Sequence, residues 1–209
     1  LLMPVPSVLA ETLPGFRPAA SFDEQIHETW WTDSVRGVLL AIREFDPALP
    51  TQLVIYATPN GNTIEQTLGC ARGAELDWRF DIQHVAAQIR RWRQVHPGEN
   101  IVLACLEADG LSWPAWRQKL GEQAPAAARK LIESIRATVA SSALVTLTGH
   151  SGGGSFLFAI LDAHEAIPAW IDRIAFLDSN YSYDDGRRHG EKLLTWIQAD
   201  TDCALVVIA

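Results

Sequence analysis

The chain has 209 residues, with 17 Lys+Arg against 25 Asp+Glu for a formal net charge of −8, and 48% hydrophobic residues at 20% charged. That apolar fraction excludes an intrinsically disordered chain and suffices for one substantial core, and the length suits a single α/β domain. The acidic balance repels phosphate backbones, and no concentrated basic face offsets it, so no nucleic-acid partner is expected.

Residues 1–10 read LLMPVPSVLA. An apolar stretch ending in Val8, Leu9 and Ala10 suits the remnant of a signal peptide, although two prolines interrupt it and no basic segment precedes it. Both a cytoplasmic and a secreted or periplasmic location therefore stay open. Residues 1–35 read as an N-terminal extension in which Trp30 and Trp31 cover the core, and 36–209 as one domain. Cys70, Cys105 and Cys203 form no C-x-x-C pair, which points to neither a zinc knuckle nor a disulfide framework. Cys105 and Cys203 sit in apolar runs and read as small core residues. No motif asks for a cofactor or a resident metal.

Two β-branched runs, 38–42 and 53–57, are separated by Asp46, Pro47 and Pro50. That gap is too short for a crossover helix, so the pair is expected to form an antiparallel hairpin. A helix is predicted over 82–95, capped by Asp81, with Ile82, Val85, Ile89 and Trp92 on its buried face and Arg90, Arg91 and Arg93 solvated. Strand 101–106 follows, then a helix over 125–140 opened by Pro125 and buried through Leu131, Ile132, Ile135 and Val139. Strand 144–148, helix 153–164, strand 171–177, helix 190–199 and strand 203–208 complete the chain. This alternation is the pattern of a mostly parallel sheet with helices on both faces. Residues 137–161 carry no Asp, Glu, Lys or Arg, but glycines, His150 and hydroxyl residues break the run, so no transmembrane segment is expected.

The informative stretch is Gly149-His150-Ser151-Gly152-Gly153, a G-x-S-x-G pattern placed between a predicted strand and a predicted helix. A serine at the tip of such a turn takes a strained backbone, and the residues two before and two after it approach so closely that side chains would collide. Glycine removes the collision, and the Gly152 amide at the helix N-terminus faces the place where negative charge develops. A plain connecting turn or an anion cradle are the competing readings. The phosphate-binding patterns G-x-x-x-x-G-K-[ST] and G-x-G-x-x-G are both missing here.

The element order and this elbow resemble the α/β-hydrolase superfamily, in its serine esterase and lipase-like form, over roughly residues 38–208. The resemblance implies Ser151 as nucleophile after the fifth strand, and an oxyanion donor from the loop after the third, here Thr58-Pro59-Asn60-Gly61-Asn62-Thr63. Gly61 or Asn62 is the expected donor beside Gly152. The triad order is Ser, acid, His. Asp178, ending strand 171–177, fits one version of the acid, although in most of the family the acid follows the next strand. No histidine follows strand 203–208. The expectation is therefore a last strand and a base beyond Ala209, with His189 as the candidate base within the chain. His27, His84, His96 and His164 read as surface or helix-end residues.

Trp113 and Trp116, Tyr181, Asn60 and His150 are candidates to line a pocket for a small-molecule, saccharide or lipid ester. The resulting expectation is a serine hydrolase cleaving an ester or related acyl bond. A non-catalytic binding module on the same fold and an acyltransferase are its rivals.

Overall fold

The structure is a computed structural model that describes residues 13–43, 45–71 and 84–208. Among the described residues seven strands form one sheet: β1 (Glu24–Thr32), β2 (Val35–Ile42), β3 (Thr51–Ala57), β4 (Asn100–Ala108), β5 (Leu144–His150), β6 (Ile171–Leu177) and β7 (Ala204–Ile208), in the order β1-β2-β4-β3-β5-β6-β7. β2 runs against both its neighbours, and the β4-β3-β5-β6-β7 block is parallel throughout. Among the described residues the helices are α1 (Ile64–Leu68), α2 (Val85–Val95), α3 (Trp113–Leu120), α4 (Ala124–Val139), α5 (Gly154–Asp162) and α6 (His189–Ala199). No helix there is long and apolar enough to cross a membrane.

The two faces follow from the two-residue strand period. Leu53, Ile55 and Ala57 of β3, with Val102, Ala104 and Leu106 of β4, face the larger core that α3, α4, α5 and α6 cover. The alternate residues Val54, Tyr56, Ile101, Leu103 and Cys105 face a smaller core beneath α1 and α2. α5 is buried at every position from Gly154 to Leu161. Among the described residues β7 is the last strand of the sheet, and Val206, Val207 and Ile208 are exposed on it.

The expected hairpin is corrected. β2 pairs with β1 and with β4, and β4 lies between β2 and β3. β3 is buried along almost its whole length and takes a central place with a parallel partner on each side. Its linker from β2 steps across one strand instead of turning back. The antiparallel hairpin is β1 with β2, and it begins at Glu24, inside the stretch expected as an extension. Trp31 packs against the larger core, whereas Trp30 is exposed.

The basic face of α2 is corrected as well. Asp81 and Ile82 lie outside the described residues, and the described helix begins at Val85. Of the three arginines expected in solvent, Arg93 is buried. Its guanidinium donates to Glu24 Oε1 at 2.8 Å, to the Ile101 carbonyl at 2.8 and 3.0 Å and to the Leu40 carbonyl at 2.9 Å. Arg90 closes on the same carboxylate at 2.7 Å. One Glu24 side chain thus ties β1 to α2, and Arg93 carries the tie to β2 and β4. Removing one partner of a buried pair strands the other charge. Glu24→Ala is expected to lower unfolding free energy by about 3–5 kcal/mol, measured by urea titration.

Candidate active site

β5 ends at His150, and the chain turns at Ser151, whose φ of 50° lies in the left-handed region. A non-glycine residue there costs about 1–2 kcal/mol, so the surroundings must hold it. They do so by close packing on the glycines that follow. A Cβ on Gly153 would fall inside 3.0 Å of the Ala57 carbonyl at the end of β3, and one on Gly154 inside the same limit of the Ser179 carbonyl after β6. One on Gly152 would meet the Asn60 carboxamide, and one on Gly149 would stand 3.0 Å from Gly153. Three strand ends therefore converge on one helix N-terminus. Ser151 is half-buried and Gly152 buried.

Asp178 leaves the sheet beside Ser151. His150 pairs with Leu177 in the β5/β6 register, so Ser151 and Asp178 are the next residues on adjacent parallel strands. Asp178 also has a left-handed φ, 45°. Its amide donates to the Ile208 carbonyl at 2.6 Å, tying β6 to β7, and its Oδ1 accepts from the exposed Tyr181 hydroxyl at 2.6 Å.

The loop after β3 is fastened along its length. Thr58 N–H donates to Leu106 O at 3.0 Å, Gly61 N–H to Leu111 O at 2.9 Å, Asn62 N–H to Pro59 O at 3.2 Å and Thr63 N–H to Gln66 Oε1 at 3.0 Å. The Ile64 amide, opening α1, donates to Glu107 Oε2 at 2.7 Å. The two amides expected as oxyanion donors, those of Gly61 and Asn62, are thus committed within the protein.

Glu107 was not foreseen, although a carboxylate closing an otherwise apolar strand is a visible irregularity. It belongs to a cluster in which Arg36 bonds Glu28 and Glu65 and stands 3.7 Å from Glu107. Burial raises the Glu107 carboxyl above its ordinary range. Burial pushes Glu65 the same way, but the hydrogen bond and charge of Arg36 outweigh it and hold Glu65 below its ordinary value.

Trp113 and Trp116, expected in the pocket, are buried in the larger core. Their rings lie 4.5 and 6.1 Å from that of Phe156 in α5, and Trp116 Nε1 donates to Ser34 Oγ at 3.1 Å. Burial of the large indoles under α5 outweighs any gain from placing them in a loop. His189 is fully buried, with both ring nitrogens committed. Nδ1 accepts from the Asp184 amide at 3.0 Å, which leaves Nε2 as the donor to Asp162 Oδ1 at 2.8 Å. Asp162 closes α5, about 12 Å along the helix from its first residue at 1.5 Å per residue. His189 is therefore a joint between α5 and α6 and has no lone pair for the Ser151 proton. Arg117 and Arg187 bond the same Asp162 carboxylate.

No protein-family model matches the chain, and no curated protein matches it by sequence. Solved structures do. A mutant of the feruloyl esterase module from Clostridium thermocellum, complexed with sinapinate, superimposes with a TM-score of 0.52 at 10% identity, over 92% of this chain and 71% of that one. A thermostable esterase gives a TM-score of 0.52 at 14% identity, over 89% of this chain and 54% of that one. The fold is that of the α/β-hydrolases. The chain spans about half the length of the second of these solved structures. At such identities the likeness is one of fold, and the chemistry has to be argued from the residues themselves.

Two outcomes check this geometry. Gly154→Ala, whose Cβ meets a backbone carbonyl, is expected to cost about 1–3 kcal/mol of stability, more than Gly152→Ala, whose Cβ meets a side-chain tip, in the same urea titration. For Glu65 the folded pKa lies below the unfolded one, so its stabilisation is present above the unfolded value and lost as pH falls through the folded one. The stability gap between wild type and Glu65→Gln should therefore narrow as urea titrations move from about pH 6 to about pH 3.

Proposed function

We propose that the protein is a serine hydrolase that cleaves an ester or related acyl bond through a Ser151 acyl-enzyme. One observation carries the reading: a non-glycine, left-handed residue at a strand-to-helix turn, held by glycines that neighbouring strand ends press against. A turn that only connected β5 to α5 would have no need of a strained serine there.

In this reading the Ser151 oxygen attacks the substrate carbonyl while a histidine oriented by Asp178 takes its proton. The Gly152 amide, at the N-terminal end of α5, stabilises the oxyanion. The carbonyl–oxygen bond to the leaving alcohol breaks as the histidine returns the proton to that oxygen. Water then adds to the acyl-enzyme and releases the acid and Ser151. His189, bonded to Asp162, stands outside this sequence. Two fold relatives described as esterases support the choice of an ester, and a small-molecule, saccharide or lipid ester is the substrate class proposed.

A fluorophosphonate probe tests this directly on the full-length protein. Covalent labelling is expected in the wild type, its loss in Ser151→Ala, and its retention in His189→Gln, which keeps a donor for Asp162. A wild type that resists the probe would leave a binding module on the same fold and overturn the proposal.

A further inference from the structure

We infer that the side-chain carboxamide of Asn60 is the second oxyanion donor, beside the Gly152 amide. The inference rests on the serine-hydrolase reading of Ser151. It begins from the accounting of donors in the loop after β3. Pro59 has no N–H, and the amides of Thr58, Gly61, Asn62, Thr63 and Ile64 are each committed to a partner inside the protein. Asn60 is the loop residue whose donors, its own N–H and its carboxamide, make no hydrogen bond to any described residue, and of the two it is the carboxamide that lies against Gly152.

Its side chain also lies against Gly152. The position a Cβ on Gly152 would occupy is 2.0 Å from the Asn60 Oδ1, 2.3 Å from its Cγ and 2.7 Å from its Nδ2. The carboxamide thus borders the residue whose amide is the first donor, one peptide from the nucleophile. Asn60 is exposed and Gly152 is buried, so the carboxamide lies at the boundary where a substrate carbonyl would enter from solvent. Two of its properties suit the task. A primary amide donates without carrying charge, and its oxygen and nitrogen exchange positions by a half-turn about one bond.

The loop is also rigid enough to aim it. Glu107 holds the Ile64 amide, Thr63 and Gln66 cap α1 reciprocally, and Leu111 fixes Gly61 on the other side. Rigid support matters because an oxyanion donor acts by being in place before charge develops. The absent side chain at Gly152 then gains a second use, since any larger residue there would displace the carboxamide.

The test compares wild type, Asn60→Ala and Asn60→Asp in hydrolysis of p-nitrophenyl acetate, with fluorophosphonate labelling and thermal unfolding run alongside. Both variants are expected to lose about 10²–10³-fold in kcat, as removal of an oxyanion donor does, with KM changed less than about threefold and the unfolding midpoint unchanged. The near-isosteric Asn60→Asp keeps the packing while replacing the donor with a charged acceptor, so its loss cannot be ascribed to a cavity. Slower but complete labelling of Ser151 in both variants shows the nucleophile still in place. If kcat in both stays within about threefold of wild type, or if only KM moves, the carboxamide is not the donor and the inference falls while the hydrolase reading stands. If the wild type itself neither labels nor turns over, both fall together.

Discussion

Within three residues, 152–154, the chain comes so close to the ends of β3 and β6 and to the loop after β3 that no side chain fits. That steric condition governs the site. These contacts follow directly on Ser151, whose φ of 50° is left-handed, and they hold the N-terminus of α5 against its neighbours. Backbone carbonyls form two of the three contacts, and they cannot rotate out of the way as a side chain can. Strain at Ser151 is therefore retained by packing that a single local rearrangement would not relieve.

Charge is used elsewhere, and for a different purpose. Glu24 with Arg90 and Arg93 fastens the antiparallel margin of the sheet, and Asp162 with Arg117, Arg187 and His189 fastens the far end of α5. The cluster of Arg36 with Glu28, Glu65 and Glu107 supports the loop that approaches Gly152. Apolar contact builds the centre, and directional contacts attach the parts that periodic hydrophobicity leaves undetermined. Buried ion pairs contribute less net stability than the same volume of hydrocarbon, but they fix geometry, since a misplaced partner leaves a charge desolvated.

The strands β3, β4, β5 and β6 were legible as apolar runs bounded by turn residues, although the pairing of β3 was not, and the strand-to-helix turn at Ser151 was legible because glycine spacing reports a steric need directly. β1 was missed since its sequence, EQIHETWWT, buries a glutamate where a hydrophobic residue would have revealed the alternation. The same glutamate hid the burial of Arg93, because a helix face rich in arginine reads as solvated when its partner is far away in sequence. α1 and α3 carried their own local signals, the Thr63–Gln66 capping box and Ser112 with Pro114, but each helix is too short for its apolar period to stand out. The roles of individual amides in residues 58–63 had no signal in the sequence at all. Which carbonyl accepts from Gly61 depends on where Leu111 comes to rest, fifty residues further along the chain.

The burial of α5 on all sides separates two kinds of change that a protein of this architecture can undergo. Substitutions along the helix itself must satisfy neighbours in every direction, so the support behind Ser151 tolerates little variation. The tip of the loop after β6, represented by Tyr181, faces solvent and answers to almost none of those neighbours. That exposed margin can therefore be rewritten while the turn at Ser151 keeps its position, and new surfaces can arise without first losing the old fold.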